Sequence, residues 1–522
     1  MKFYIILFLF ASCLCVDAGV KPRGWRGGIR PPVSGAVAHL HSPMRVGLRS
    51  LAPLECIGSP QVPVILVEWN DRRFAEHEGM SVVEFYDRFC NGDGVSDLYS
   101  GAGSYGAVSE YFRDQSDGGF TPHFSVMGPV TLSMTYRYYG QNWDGVTDVN
   151  VDDFYEEAVE MAGMECGVDW SDFDNDGDGV VDMVMFLFAG KGESESEDRD
   201  EDAIWPCENE DGGWVGGVRF GCFACCNETF GGVADGIGIM CHEMSHALGL
   251  PDFYDVNYVA FGMDYWDLMD AGNYCNDGYT PCGYSAYERD FMGWRSLKTL
   301  NLDAGGEITL YPMSSDEGCG YRITCKDDPD RFYILENRQN VEWDRYIGYG
   351  SDDYGLHHGL LVTYVDYDMG VWRANKVNTS AAHQRMTVVP ADGKLESSMY
   401  AGEGENCWYT YYNYALSMGG DPFPGIGYTR QDNGFCFSPV DSLRTDDWAI
   451  TDIKEHVDGT VTLTWCGGSG SGVESLEQES DEEKVGDVYD LSGKMMKMSS
   501  FGVQNGNFGK IYLINGKKVL MK

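Results

Sequence analysis

Positively charged residues are scarce in this chain of 522 residues. It has 37 Lys and Arg residues against 82 Asp and Glu residues, which gives a formal net charge of −45 and a pI of about 4.3. Binding to nucleic acid needs a basic surface and adsorption to anionic lipid is helped by one, so this charge argues against both. The acidity fits a soluble exported protein that binds divalent cations, with solubility alone as the alternative.

Long apolar runs are also missing after the first residues of the chain. The apolar segment Phe3–Phe10 is too short to be a stable membrane anchor. Because Lys2 precedes it and Val16–Ala18 offers a small-residue cleavage site, we predict a signal peptide at residues 1–18. Lipoprotein cleavage at Cys13 is the alternative. With no further transmembrane candidate, we expect a secreted or cell-surface protein.

Cysteine, in contrast, is plentiful, with 17 residues in the chain. Export permits disulfides, although the sequence does not define their pairing. Cys222, Cys225 and Cys226 form a cluster without a second Cys/His pair at zinc-site spacing, so disulfides or free thiols are favoured there over a metal. Two further pairs are close enough in sequence to close local loops, namely Cys275 with Cys282 and Cys319 with Cys325.

The hydrophobic pattern predicts an α+β fold made of several regions. Buried strands are expected at Val62–Glu68 and Met183–Phe188, and helices at Ser81–Phe89 and Val151–Met161. Short strand patterns dominate after about residue 300. The predicted regions are a signal peptide (1–18), a pro-segment or N-terminal arm (19–60), a catalytic domain (61–298), a β-rich, sandwich-like region (299–466), a Gly/Ser and acidic linker (467–486) and a short β tail (487–522).

The clearest chemical signal is the segment CHEMSHALGLPD at residues 241–252. His242 and His246 lie four residues apart, so on a helix both imidazoles point from one face toward one metal ion. Glu243 lies beside them, where its carboxylate can take a proton from an attacking water. This HExxH pattern predicts a zinc hydrolase in which Glu243 is the catalytic base.

The residues after this helix suggest a third ligand. Gly249 permits the left-handed conformation that ends a helix sharply, and Pro251 prevents the helix from resuming. The turned chain then brings Asp252 back to the metal. Three protein ligands and one open position are the arrangement of catalytic zinc. Because aspartate is shorter than histidine, the reach of Asp252 depends on the geometry of this turn.

The pattern HExxHxxGxxD resembles the metzincin motif with Asp in place of the third His. Metzincins have a methionine turn below the metal, and Met269 in Trp266–Gly272 resembles it. Tyr274 follows this turn; its alternatives are donation to an oxyanion and packing, with packing favoured. The chain also resembles the immune-inhibitor-A family of bacterial secreted metallopeptidases over about residues 61–466, on segments that include Ser104–Phe112, Gly278–Pro281, Ala286–Arg289, Leu335–Gln339 and Gly359–Val362. The resemblance implies a zinc-dependent endopeptidase, made with a pro-segment, that hydrolyses proteins or peptides.

A second motif, DNDGDGVVD at residues 174–182, resembles a calcium loop. Gly179 stands at the sharp-turn position, while position twelve is Met185 instead of Glu and a strand follows instead of a helix. We therefore predict a structural Ca²⁺ loop without an EF-hand helix pair; a solvated acidic turn is the alternative. The predicted ligands, at positions one, three, five, seven and nine, are Asp174, Asp176, Asp178, Val180 and Asp182.

The last segment resembles the short form of a sorting tail of the type IX secretion pathway. The resemblance rests on Val488–Gly493 and Ile514–Val519, and it implies the secretion machinery as a partner; a small β appendage is the alternative. Taken together, the motifs predict a secreted, monomeric zinc endopeptidase. The alternative from another class is a catalytically inert, calcium-stabilised surface adhesin or binding protein on a zincin fold.

Cys56 raises a separate hypothesis about latency. It lies upstream of the predicted catalytic domain, and a thiolate there can occupy the open zinc position of a zymogen before activation. A disulfide and a free thiol are the alternatives for this residue.

Overall fold

The structure is a computed structural model. It describes residues 54–92, 104–144, 146–194, 200–209, 212–255, 260–350, 357–393, 395, 418–424, 429–430, 435–436 and 440–467, and the backbone of short strands between 488 and 521. The predicted signal peptide and most of the predicted arm and linker lie outside these residues. In the part that is described, no helix has the length and apolar character needed to cross a bilayer.

A mostly parallel sheet forms the centre of the N-terminal half. Its strands run in the order β2-β1-β3-β6-β4, and β5 and β7 also pair with β6. The pairs β1–β2, β1–β3 and β3–β6 are parallel, whereas β4, β5 and β7 run antiparallel to β6. The strands are β1 (Gln61–Glu68), β2 (His123–Thr131), β3 (Val181–Lys191), β4 (Glu208–Asn209), β5 (Gly213–Val215), β6 (Val218–Phe230) and β7 (Val233–Ala234).

Helices occupy the connections from β1 to β2 and from β2 to β3, because parallel strands need a long crossover. Among the described residues, two α-helices lie between β1 and β2 and two between β2 and β3, while a fifth follows β7. The sixth begins at a capping box in which Ser285 accepts from the Glu288 N–H. They are α1 (Val82–Asn91), α2 (Val108–Gln115), α3 (Tyr136–Tyr139), α4 (Val151–Met161), α5 (Gly238–Ala247) and α6 (Ala286–Phe291), with 3-10 turns at Asp264–Trp266 and Ala271–Gly278 between the last two.

Two further sheets follow α6. A five-stranded sheet has the order β13-β12-β11-β10-β8, and a four-stranded sheet has the order β16-β17-β18-β9. A short helix, α7 (Met369–Arg373), lies between β12 and β13. The strands are β8 (Lys298–Thr299), β9 (Gly306–Leu310), β10 (Tyr321–Cys325), β11 (Asp328–Arg338), β12 (Gly359–Asp366), β13 (Met386–Val388), β16 (Leu443–Arg444), β17 (Trp448–Glu455) and β18 (Val461–Gly467).

The remaining strands form two small sheets. The first is an antiparallel pair, and the second has the order β20-β19-β21-β22 within the predicted tail. They are β14 (Thr429–Arg430), β15 (Phe435–Cys436), β19 (Val488–Asp490), β20 (Met495–Met496), β21 (Lys510–Ile514) and β22 (Lys517–Met521). A sorting function for the tail stays a prediction.

The five-stranded sheet contributes to two hydrophobic cores because successive side chains of a strand point to opposite faces. Ile334 and Leu361 belong to the main core, which also contains the side chains of β1, β3 and α5. Leu335 and Val362, one position along, belong to a second core with β17 and β18. One face of this sheet is therefore packed into the same core as α5, which contains the HExxH segment.

The architecture is mixed, with several sheets and a few helices. The strands and helices predicted around residues 62, 81, 151 and 183 are present as β1, α1, α4 and β3. The main sheet is more parallel than an α+β fold implies, because helices separate β1, β2 and β3. The cysteines whose side chains are described are free thiols, including the two pairs predicted as possible local loops.

Candidate metal centre

Helix α5 carries the HExxH motif and is fixed at both ends by glycine. A Cβ atom on Gly238 would lie 1.8 Å from the carbonyl oxygen of Asn273, so only glycine allows the 3-10 turn at 271–278 to pack against the start of the helix. At the other end, Gly249 has a φ of 97° and its N–H donates to the His246 carbonyl at 2.8 Å. The left-handed residue predicted from the sequence therefore ends the helix.

Both histidines are oriented by backbone carbonyl groups. The Nδ1 atom of His242 lies 2.8 Å from the Leu268 carbonyl oxygen, and that of His246 lies 2.8 Å from the Leu250 carbonyl oxygen. A carbonyl oxygen only accepts, so each Nδ1 carries a proton, and each Nε2 is the nitrogen left to bind a cation, either a second proton or a metal ion. The His242 and His246 side chains are only 4% and 8% exposed, and the two Nε2 atoms are therefore held ready to bind a cation.

Asp252 completes a group of three possible ligands. Its Oδ1 atom lies 3.2 Å from His242 Nε2 and 3.3 Å from His246 Nε2. Two atoms that each bind a tetrahedral zinc at 2.0–2.1 Å lie about 3.3 Å apart. Within the described part of the chain, no hydrogen bond satisfies His246 Nε2 or Asp252 Oδ1, although both are buried. Three ligand atoms that face one point at these distances fit a divalent ion of the size of zinc.

The electrostatics around Asp252 also favour a positive charge at this point. Burial lowers the pKa of the His246 imidazole, but the Asp252 carboxylate outweighs burial and raises this pKa to about 10. The same contact holds the pKa of Asp252 below its ordinary value, although burial opposes this. The Asp252 carboxylate therefore stabilises a positive charge that lies between its Oδ1 atom and His246 Nε2.

Glu243 lies on the same helix and is buried, with an exposed fraction of 3%. Of the donors in the described residues, none reaches its Oε2 atom. Burial raises the pKa of the Glu243 carboxyl well above its ordinary value, and His246 partly offsets this. The site therefore has a carboxyl group with a raised proton affinity and one oxygen that is not used by the described donors.

The turn with Met269 contacts the ligand segment through its backbone. The Leu268 carbonyl orients His242, and the Met269 carbonyl accepts the Phe253 N–H at 2.8 Å. Met269 is fully buried in the main core. Backbone carbonyls of this turn therefore position His242 and Phe253, and Phe253 directly follows Asp252.

The sequence also suggested roles at this site for Tyr274 and Cys56. Tyr274 is half-buried and packs against the main core, so its role at an oxyanion stays a prediction. The Cys56 thiol donates to the Met292 carbonyl at 3.3 Å, and the Cys56 carbonyl accepts from Trp294 Nε1 at 2.7 Å. These contacts hold the thiol against the chain after α6, and its sulfur is not part of the group formed by His242, His246 and Asp252, so a role of Cys56 in latency stays a prediction.

Sequence reasoning missed Asn375, which lies beside α7. Its Nδ2 atom donates to Asp252 Oδ2 at 2.5 Å, and its Oδ1 atom accepts the Asp252 N–H at 2.7 Å. The two residues are 123 positions apart, and no local pattern indicates the contact. Covariation between the two positions is the signal by which sequences alone can reveal such a pair.

The acidic motif at residues 174–182 forms a second cluster, of which the structure brings three residues together. Asp174, Asp176 and Asp182 place carboxylate oxygens within 4.8 Å of one another, whereas Asp178 is not part of this group. The Asp178 carboxylate instead accepts the Val180 N–H at 2.8 Å. Asp182 is buried, and burial raises its pKa to about 6.

Comparison with known proteins places this geometry in a family context. Residues 59–296 match the model of the immune inhibitor A peptidase M6 catalytic domain. This range contains α5, Asp252 and the turn with Met269. Asn375 lies outside it.

Two curated relatives match parts of the chain. The pre-pro-metalloprotease PrtV of Vibrio cholerae serotype O1 is 26% identical over 261 residues, covering 43% of this chain and 28% of PrtV. Immune inhibitor A of Bacillus thuringiensis subsp. alesti is 35% identical over 60 residues, covering 11% of this chain and 9% of that protein. The chain therefore spans little more than a quarter of PrtV. The similarities support a metallopeptidase in general terms.

Proposed function

We propose that the protein is a secreted zinc-dependent endopeptidase with a metzincin-like site. The observation that carries this proposal is the convergence of His242 Nε2, His246 Nε2 and Asp252 Oδ1, which are buried and 3.2–3.3 Å apart across the two histidine–aspartate contacts. The match of residues 59–296 to a peptidase catalytic domain supports it.

In this proposal the three residues hold the ion and Glu243 moves protons. Zinc bound there supplies a Lewis acid for the scissile carbonyl and lowers the pKa of a water toward about 7. Glu243 accepts a proton from the attacking water on its open Oε2 atom and later donates it to the leaving amine. The carbonyls of Leu268 and Leu250 keep both imidazoles in the tautomer that leaves Nε2 free.

Substitution of Glu243 by Gln tests this assignment. Because general acid–base catalysis typically contributes about 10²–10⁴-fold, we expect kcat on a denatured protein substrate to fall by at least that range while zinc content stays unchanged. Glu156→Gln, an exposed carboxylate on α4, is the matched control and should have wild-type activity. A fully active Glu243→Gln variant would overturn the mechanism, and a zinc-loaded wild type that cuts no peptide in a diverse library would favour the inert binding protein.

We further propose that the acidic loop binds calcium and stabilises the start of β3. Asn175 connects the loop to β1, because its Oδ1 atom accepts the Gln61 N–H at 2.7 Å and its Nδ2 atom donates to Asp182 Oδ2 at 2.7 Å. A cation offsets the repulsion among the clustered carboxylates. The loop therefore supports two neighbouring strands of the main sheet when it is ordered by an ion.

A thermal shift assay tests the calcium proposal. At a calcium concentration of about 100 times Kd, one site stabilises the fold by about 2.7 kcal/mol, which raises Tm by several degrees. Asp182→Asn should remove most of this shift. Asp172→Asn, an exposed carboxylate outside the group, should retain it. Equal shifts in both variants would contradict a calcium site here.

Export and sorting complete the proposal. We expect the N-terminus of the mature extracellular protein to lie after Ala18 or further along the chain. We expect a protein that lacks residues 487–522 to stay inside the cell. N-terminal sequencing and fractionation of the native host measure both. Normal export of the truncated chain would leave the tail as a small β appendage.

A further inference from the structure

The third ligand of the proposed metal centre is held by a residue from the β-rich region. Asp252 and Asn375 form a closed pair of hydrogen bonds, one from Asn375 Nδ2 to Asp252 Oδ2 at 2.5 Å and one from the Asp252 N–H to Asn375 Oδ1 at 2.7 Å. Asp252 is 1% exposed and Asn375 is 8% exposed. Water therefore competes little with this pair.

The pair decides which carboxylate oxygen faces the histidines. Oδ2 is occupied by the amide, whereas Oδ1 faces both Nε2 atoms and accepts no hydrogen bond from the described residues. An aspartate without this contact can rotate about its terminal torsion, which is broad, and present either oxygen or both. The amide thus holds Asp252 as a ligand with one oxygen toward the metal.

Asn375 is itself held in a defined position. Its φ is 50°, a left-handed conformation that asparagine tolerates better than most residues, and its N–H donates to the Trp372 carbonyl at 3.1 Å. Three residues later, Asn378 Nδ2 donates to the Phe253 carbonyl at 2.6 Å and to the Met386 carbonyl at 2.7 Å. Two asparagines of this segment therefore hold two consecutive residues of the ligand segment.

We propose that Asn375 is a positioning residue of the metal centre. The segment of residues 368–378 is then needed for metal binding, although it contains none of the three ligands. This inference rests on the proposed function, since it assumes that Asp252 binds the metal. It has a consequence for the organisation of the chain. The region that matches the peptidase catalytic domain ends at residue 296, so this region contains the three ligands but lacks the group that orients the third.

Zinc affinity of the full-length mature protein tests the inference directly. Asn375→Gly removes the amide and keeps the left-handed backbone free of strain, because glycine adopts positive φ readily. Removal of a residue that orients a metal ligand typically weakens metal binding by about 10–100-fold, and we expect a loss in that range in competition with a chromophoric chelator. Asp452→Gly, at an exposed position of β17 with a φ of 55°, is the matched control and should bind zinc like the wild type.

A second variant and a second readout separate positioning from simple support of the fold. Asn375→Asp keeps the size of the side chain but places an acceptor against Asp252 Oδ2, so we expect at least the same loss of zinc affinity. In the cobalt-substituted protein, both variants should change the visible absorption bands, which report the ligand set. Urea titrations of the metal-free protein should show a loss of unfolding free energy that is smaller than the loss of zinc-binding free energy.

The outcomes distinguish this inference from the proposed function. A wild-type protein that binds no zinc would refute the proposed function itself. A wild type that binds zinc tightly, together with Asn375 variants of equal affinity and unchanged cobalt bands, would refute only the positioning role. Variants that lose metal-free stability and zinc affinity to the same degree, with unchanged cobalt bands, would also count against it and indicate a structural contact.

Discussion

The two buried carboxyl groups of Asp267 and Glu288 adjoin the turn that orients His242. Asp267 Oδ1 accepts the Met269 N–H at 2.9 Å, and Glu288 Oε2 accepts the N–H and the hydroxyl of Ser285 at 2.6 and 2.9 Å. Both side chains are 0% exposed, neither Asp267 Oδ2 nor Glu288 Oε1 has a hydrogen-bond partner among the described residues, and Asp267 lies close enough to add to the effect of burial on the pKa of Glu288. Two carboxyl groups in contact need one proton between them.

The pair makes stability depend on pH with a defined sign. Burial raises the pKa of Asp267 to about 6 and the pKa of Glu288 well above its ordinary value. In the unfolded chain Glu288 loses its proton above about pH 4.3, whereas the folded protein keeps this proton to a higher pH. Unfolding therefore releases a proton, and the contribution of this pair falls as the pH rises from about 4.3 toward the folded pKa, by about 1.4 kcal/mol per pH unit.

Substitution of Glu288 by Gln removes the need for this proton. An amide N–H of Gln can donate to Asp267 at any pH. The free energy of unfolding of the variant should therefore increase relative to that of the wild type as the pH rises. We expect the difference between the two proteins to grow as the pH rises from 5 to 7, by at most about 1.4 kcal/mol per pH unit for one proton. Urea titrations at several pH values and fixed free zinc and calcium measure it.

Glu84→Gln is the matched control, because Glu84 has the equivalent position near the start of α1 but is exposed. Its difference from the wild type should not depend on pH in this range. If the Glu288→Gln and wild-type curves run parallel between pH 5 and pH 7, the shared proton does not exist and the reasoning fails.

Two further predictions concern stability. Arg338 is buried and binds Asp344 through hydrogen bonds of 2.9 and 2.7 Å, so Arg338→Met should lower the free energy of unfolding by about 3–5 kcal/mol in urea, and a loss below about 1 kcal/mol would contradict this. Gly238→Ala should cost about 1–3 kcal/mol or more and lower zinc content, because its Cβ would overlap the Asn273 carbonyl. Gly163→Ala, whose Cβ meets only Trp170 Nε1 at 3.6 Å, should be nearly neutral in the same assays.

Local patterns predicted the elements that depend on local physics. The continuous apolar runs at β1 and β3 and the helical spacing at α1 and α4 are properties of adjacent residues, and the structure has these elements there. The left-handed conformation of Gly249 was predictable for the same reason, since a glycine after a helix followed by proline leaves few alternatives. The four-residue spacing of His242 and His246 likewise defines their common face on a helix.

The sequence determined by itself which side chains are able to bind a metal, because ligand chemistry and helical spacing are local. Tertiary structure decided how Asp252 is oriented and where Cys56 lies, since both depend on contacts between distant segments. Asn375 approaches Asp252 only because the five-stranded sheet packs into the core that contains α5. The contact has no local sequence signature, because it forms only when two segments 123 residues apart are buried against each other.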